Sequence, residues 1–281
     1  MKTKRATAPS ITARKNTGEK IVALTAYDYS FARILDTTAI DILLVGDSLG
    51  MVCLGYENTL PVTMEDMIAH TRSVKRGNTQ ALLVSNLPFM SYQISVEQAV
   101  SNAGRLMQEG LADAVKLEGG TSEAEKVSAI VRAGIPVMGH IGLTPQSVHQ
   151  MGGYSVQGKH YSAARKIKED AKALQKAGAF SIVLEGIPGA LAEEITKEIK
   201  IPTIGIGAGP HCDGQILVLH DLLGMNLDFR PKFVKQYANL GEQIQSAVHD
   251  YISEVQSGAF PDTEHTYNQK ESSIRKIEEA V

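Results

Sequence analysis

Two cysteines in 281 residues cannot build a disulfide framework, and neither Cys53 nor Cys212 stands in a CxxC or Cys/His spacing that would hold zinc. Both read as reduced thiols in the role of small hydrophobic residues. Clustered basic charge is missing too: net charge is −3 and the lysines and arginines are scattered, which excludes a nucleic-acid footprint. No stretch is apolar over the roughly 18 residues that a membrane helix needs. Lys2, Lys4 and Arg5 open the chain like a signal-peptide n-region, yet Thr3 to Gly18 is polar, so no secretory leader is predicted. The expectation is a cytoplasmic protein with neither membrane nor nucleic acid as partner. No repeat, low-complexity linker or composition shift divides it.

What is present is a rhythm. Short runs rich in Val, Ile and Leu recur at Ile21–Thr25, Ile42–Val45, Ala81–Ser85, Ala114–Leu117, Pro136–His140, Ser181–Leu184, Pro202–Ile206 and Ile216–Leu219. Such near-continuous apolar runs mark parallel strands buried on both faces. Amphipathic helical patterns lie between them, among them Val96–Gln108, Glu123–Ala133, Ala163–Ala177 and Ala190–Ile199. Gly110, Gly134 and Gly178 follow such helices and read as left-handed C-caps. The alternation points to a closed barrel or a doubly wound open sheet. An α/β barrel takes about 250 residues as one unit, so the predicted fold is a (β/α)8 TIM barrel in a single domain. Its expected bounds are 20–267, with a polar N-terminal segment at 1–19 and a charged tail at 268–281. Pro231–Gln256 reads as one or two helices outside the barrel.

In such a barrel the catalytic groups sit where strands end and loops begin, at the carboxyl face. The second run leads into Asp47 and Ser48, the third into Asn86, the fourth holds Lys116 and exits at Glu118, the fifth ends at His140 and the sixth at Glu185. Polar groups after five strands, three of them offering carboxylates, would meet at one mouth. Convergent carboxylates without thiols or paired histidines call for a hard, oxygen-preferring cation such as Mg2+, with Asp47 and Glu118 as its best ligands. Two other strings compete for attention. Gly46-Asp47-Ser48-Leu49-Gly50 has the G-x-S-x-G form of a nucleophile elbow, but Met51 to Pro61 reads as an irregular loop where that motif requires a helix. Gly205-Ile206-Gly207-Ala208-Gly209-Pro210 looks like a phosphate loop, yet it lacks the dinucleotide spacing and reads better as backbone packed close beside a ligand.

Longer strings carry a resemblance. Asp47 to Gly50, Thr59 to Thr63, Leu87 to Met90, Val115 to Gly120, Gly139 to Gln146, Gly152 to Tyr154 with Val156 to Gly158, and Gly205 to Gly209 with Asp213 to Gln215 resemble the ketopantoate hydroxymethyltransferase family. The match runs from about Lys20 to Tyr267. The resemblance implies a Mg2+-dependent transfer of a hydroxymethyl group from 5,10-methylenetetrahydrofolate to 3-methyl-2-oxobutanoate, giving 2-dehydropantoate for pantothenate, in an enzyme assembled as a homodecamer. Carried over by position, Asp47 and Ser48 would meet metal and substrate, Lys116 would contact the oxo acid, Glu118 would belong to the metal's surroundings, Glu185 would be the general base, and His140 would sit in the pocket. One position departs from the family: its metal- and substrate-binding aspartate is Asn86 here, which offers a carbonyl oxygen but no charge. The chemistry implied is removal of a proton beside a ketone, with the metal and Lys116 stabilising the enolate and Glu185 taking the proton. Two alternatives stay open: a diverged paralogue that binds a 2-oxo acid with weak or lost activity, and a Mg2+-dependent oxo-acid lyase or mutase.

Overall fold

Strands that are apolar on both faces must be covered on both, and closing them into a ring achieves this on the inside. In the computed structural model, which describes residues 5–15, 17–226 and 231–267, eight parallel strands close into a barrel in chain order. They are β1 (Ile21–Thr25), β2 (Ile42–Val45), β3 (Leu82–Asn86), β4 (Ala114–Glu118), β5 (Val137–Gly142), β6 (Ser181–Glu185), β7 (Thr203–Ile206) and β8 (Gly214–Leu217). Pairing of β1 with β8 completes the ring, so the open sheet is excluded and the (β/α)8 barrel stands. The eighth strand is shifted furthest from its sequence reading: Leu219–Leu222 turns helical, and pairing begins earlier, at Gly214. The expected charged tail at 268–281 lies outside the described residues.

Helix Val96–Gln108 occupies the span its periodicity predicts, and buries Ala99, Ala103 and Leu106 at helical spacing. Ser95 starts it by accepting the Gln98 N–H. Gly178 does end its helix in the left-handed region, with φ 98°. Gly110 does not: Leu111 takes the positive φ instead, at 62°. A Cβ on Gly110 would stand 2.6 Å from the Leu106 carbonyl oxygen, so this glycine serves close packing. The two cysteines divide as well. Cys212 is buried as expected, whereas Cys53 is exposed and fills no core position.

Side chains alternate across each strand, so each contributes to two apolar layers. Ile21, Ala23, Ile42, Leu44, Leu82, Val84, Ala114, Met138, Val183, Ile204 and Ile216 form the cluster inside the barrel. Leu43, Val45, Leu83, Val115, Leu117 and Leu184 belong to the larger cluster shared with the helices. Ala8 and Ile11, from the single-turn helix Ala8–Thr12, join the inner cluster and close its amino end. The polar N-terminal segment is therefore the barrel's floor.

The wall is thinnest around β1 and β8. Residues 207–213 join β7 to β8 without a helix, and Val22 of β1 is 47% exposed. The region expected to hold one or two C-terminal helices contains one, Leu240–Ser257, of which only Gly241 is buried. Ile244, Val248, Tyr251, Ile252 and Val255 stand exposed along it. Among the described residues no helix is long and apolar enough to cross a membrane.

Candidate active site

The inward-facing parity of the strands continues past the apolar layer into charge. Two residues beyond Val84 comes Asn86; beyond Ala114 come Lys116 and Glu118; beyond Met138, His140; beyond Val183, Glu185. Parallel register then places Asn86 beside Lys116 and Glu118 beside His140. Asp47 and Ser48 reach the same mouth from the turn after β2. Asp47, Ser48, Lys116, Glu118, His140 and Glu185 all line one cleft of about 1130 Å³.

The contacts are specific. Lys116 Nζ donates to Asn86 Oδ1 at 2.7 Å and lies 3.6 Å from Glu118 Oε1. Asn86 is fully buried behind Lys116 rather than on the cleft wall, and its amide donates to the Leu87 carbonyl at 3.1 Å. His140 stands between two acids, with Nδ1 3.3 Å from Glu118 Oε1 and Nε2 3.2 Å from Glu185 Oε2. Neither approach has in-line hydrogen-bond geometry, so among the described residues both buried ring nitrogens are without a hydrogen-bond partner. Ser48 Oγ is 2.7 Å from the Tyr27 hydroxyl.

Burial sets the electrostatics. Desolvation and the nearby Glu118 charge push the Asp47 carboxyl up to about 6, against the opposing pull of Lys116. Burial acts on Glu118 in the same sense, but Lys116 and His140 outweigh it and hold this carboxyl below its ordinary value. Burial and the Lys116 charge oppose protonation of His140, yet Glu118 and Glu185 prevail and its pKa is raised. A buried acid pair thus shares one region of positive charge, and Asp47 is the member that most readily keeps a proton.

The competing strings resolve in the geometry. A one-turn helix, Leu49–Val52, does follow Ser48, where the sequence reading placed only loop. Ser48 itself has φ −53° and ψ −18°, ordinary helical values without the strain of a nucleophile elbow. Gly207 and Gly209 line the cleft, and a Cβ on Gly207 would lie 2.8 Å from the Phe233 ring. Close packing accounts for that loop.

Sequence reasoning passed over three residues. Gln146, on the 3-10 turn Pro145–Ser147 after β5, donates to Asp47 Oδ2 at 2.7 Å, and its backbone N–H donates to Glu118 Oε2 at 3.0 Å. Tyr92 donates to Gln146 Oε1 at 2.8 Å, and Tyr27 holds Ser48. All three lie in loops, where no periodicity marks them. Gln146 does end one of the strings that carry the family resemblance.

The donor set fits a hard divalent cation. Among the described residues no three His, Cys, Asp or Glu side chains form a group that could hold a metal ion by themselves. Mg2+ needs only one or two carboxylates and fills its remaining positions with water and substrate oxygens. Asp47 and Glu118 match that demand.

Fold and site together define a barrel enzyme with its acid–base groups gathered at the carboxyl mouth. Residues 5–263 match the family model for ketopantoate hydroxymethyltransferase. The 3-methyl-2-oxobutanoate hydroxymethyltransferase of Clostridium kluyveri is 62% identical over 95% of this chain and 96% of its own. That of Syntrophus aciditrophicus is 59% identical over 95% and 98%. The chain belongs to the ketopantoate hydroxymethyltransferase family and is an enzyme that transfers a hydroxymethyl group. Solved structures share its fold at low identity. A phosphonopyruvate hydrolase covers 98% of this chain and 96% of its own at TM-score 0.60 and 11% identity. A 2,3-dimethylmalate lyase of the PEP mutase/isocitrate lyase superfamily covers 97% and 95% at TM-score 0.58 and 17% identity.

Proposed function

We propose that the chain transfers the one-carbon unit of 5,10-methylenetetrahydrofolate to 3-methyl-2-oxobutanoate, giving 2-dehydropantoate for pantothenate synthesis. The observation that carries this reading is the convergence of Lys116, His140 and Glu185 on the buried pair Asp47 and Glu118. The family match across residues 5–263 favours it over an oxo-acid lyase or mutase, since those neighbours share the fold alone. The cleft, at about 1130 Å³, exceeds the roughly 300–1,000 Å³ of ordinary small-molecule sites and leaves room for a second, larger substrate.

Asp47 and Glu118 would hold the cation, with Asn86 close behind. Bound there, it would supply Lewis-acid polarisation to the ketone and carboxylate of the oxo acid. Lys116 brings a positive charge to the place where negative charge develops. Asn86, its oxygen engaged by Nζ, aims that lysine without neutralising it. Glu185 is the most open of the site's acids, its side chain 16% exposed, and it takes the proton from C3. Summed over the reaction, the electron pair released forms the bond to the methylene carbon, water supplies its hydroxyl, and both C–N bonds of that carbon break. The C3 proton and the remaining water proton end on the two nitrogens, releasing tetrahydrofolate. His140, between Glu185 and Glu118, steadies both acids.

Glu185→Ala is expected to abolish deuterium exchange at C3 of the oxo acid and leave Mg2+ binding intact. Exchange persisting near the wild-type rate would remove Glu185 from the role of base. Exchange absent from the wild type itself, with Mg2+ bound, would favour the diverged paralogue that Asn86 raises.

We also assign self-association, as a homodecamer, to the apolar surfaces left exposed. The apolar stripe of helix Leu240–Ser257 and the exposed Val22 face belong to the same chain, so a second copy can cover both. Val248→Glu with Ile252→Glu is expected to yield smaller species in sedimentation velocity; an unchanged distribution would clear that helix of the role.

A further inference from the structure

We infer that Gln146 is a positioning residue that fixes the two buried carboxylates in their cation-accepting orientation, with Tyr92 locking its amide. The inference rests on the proposed metal role of Asp47 and Glu118.

All the hydrogen-bonding capacity of the Gln146 side chain is committed. Nε2 donates to Asp47 Oδ2 at 2.7 Å and to the Leu87 carbonyl at 2.9 Å. Oε1 accepts from Tyr92 at 2.8 Å and from Gln93 Nε2 at 3.2 Å. The Gln146 backbone N–H donates to Glu118 Oε2 at 3.0 Å. One residue therefore grips one oxygen of each acid, and ties the ends of β2, β3 and β4 to the turn after β5. Asp47 Oδ1 carries no hydrogen bond among the described residues and is left to face the cleft.

The amide cannot turn over. A flip would set its oxygen against the Asp47 carboxylate and the Leu87 carbonyl, and its NH2 against the Gln93 amide donor. Tyr92, itself 1% exposed, also receives the Glu118 N–H at 3.2 Å; the Glu118 carbonyl oxygen lies 3.0 Å from its hydroxyl and competes for the one proton, but Gln146 Oε1, at 2.8 Å, is the nearer acceptor. The residue type matters for charge. A glutamate here would add a third buried negative charge; a lysine would neutralise the pair and compete with the cation. The glutamine side chain supplies a donor to Asp47, its backbone N–H supplies one to Glu118, and both acids keep their charge.

The test is calorimetric titration of the substrate-free protein with Mg2+, in wild type, Gln146→Met and Tyr92→Phe. Outer partners of metal ligands typically change metal affinity about 10- to 100-fold, and Gln146→Met is expected to weaken Mg2+ by that range. Tyr92→Phe removes one hydroxyl and keeps the packing, so it remains informative if the methionine variant folds poorly; roughly 3- to 10-fold weaker binding is expected. In turnover assays the loss should fall on the apparent Mg2+ constant more than on kcat, a split that a purely structural brace would not give. Affinities within twofold of wild type in folded variants overturn the inference while leaving the site's metal reading intact. Wild-type protein that binds no Mg2+ overturns both.

Discussion

At the amino end of the barrel, Asp41, Asp113 and Asp213 each stand directly before a strand and accept an N–H from the strand beside it: Val22 at 2.8 Å, Leu83 at 3.0 Å and Thr203 at 2.8 Å. Each also meets a cation of the N-terminal segment, Arg14, Arg5 and Lys15 respectively. At the carboxyl end, Asp47, Glu118 and Glu185 are grouped around one lysine and one histidine whose ring nitrogens have no hydrogen-bond partner among the described residues. The same chemical group serves opposite ends. Below, each of these carboxylates is matched and the result is stability; above, acids outnumber their partners, and in the proposed function the surplus negative charge is what a cation would use. Position relative to the strand decides which role an aspartate plays.

A pair of substitutions tests that contrast at its extremes. Asp47→Asn removes the charge of the cation ligand proposed above, worth several kcal/mol of transition-state stabilisation in that role, so turnover should fall by about 10³-fold. The same change relieves a buried charge, so the Tm of metal-free protein should rise by roughly 3–6 °C. Asp213→Ala should behave in reverse. It leaves Lys15 Nζ, which it meets at 2.7 Å, buried without its acid, and unfolding should become easier by about 3 kcal/mol. Its turnover at permissive temperature should stay within about twofold, as for a site remote from the chemistry. Thermal melts and initial rates on the two variants settle the matter; equal stability losses at both ends would dissolve the distinction.

Much of this was legible in the sequence because it depends on local periodicity. Apolar runs that end in a polar group placed Asn86, Lys116, Glu118, His140 and Glu185 at the same end of the barrel, and the parallel register brings them together there. What local patterns could not show is pairing across long separations. The Gln146 amide meets Asp47 across 99 residues, and Tyr92 meets it across 54. The N-terminal segment read as merely polar, because Arg5, Arg14 and Lys15 acquire meaning only beside aspartates far along the chain. Helix Leu240–Ser257 shows the limit from the other side: its stripe announces that a partner is needed, and not which one. At Gly110 a correct helix end came with the wrong reason, since the left-handed turn belongs to Leu111.

The smallest predicted effect separates the two ends by pH. Asp36, below β3, has its carboxyl held under the ordinary value: burial opposes this, but the Thr79 and Gln80 N–H groups and the Thr79 hydroxyl outweigh it. A lowered acid contributes stability that is present above its unfolded pKa and lost as pH falls through the folded one. Asp47 has the opposite sign. Its folded value of about 6 lies above the ordinary 3.8, so between these the folded state holds more protons than the unfolded chain, and stability must fall as pH rises. His140, also raised, loses its contribution as pH climbs through its folded value, in the same direction. Metal-free wild type should therefore lose stability relative to Asp47→Asn between about pH 4 and 6, by an amount on the order of 2 kcal/mol. Above that window the difference should level off. In the proposed metal role of Asp47, saturating Mg2+ should flatten it, because the cation would bind the ionised carboxyl and displace the proton. Urea denaturation of both proteins at several pH values, with and without Mg2+, measures the difference directly. A gap that stays constant across the window, or grows as pH falls, would mean that the mouth of the barrel handles its carboxylates as the floor does.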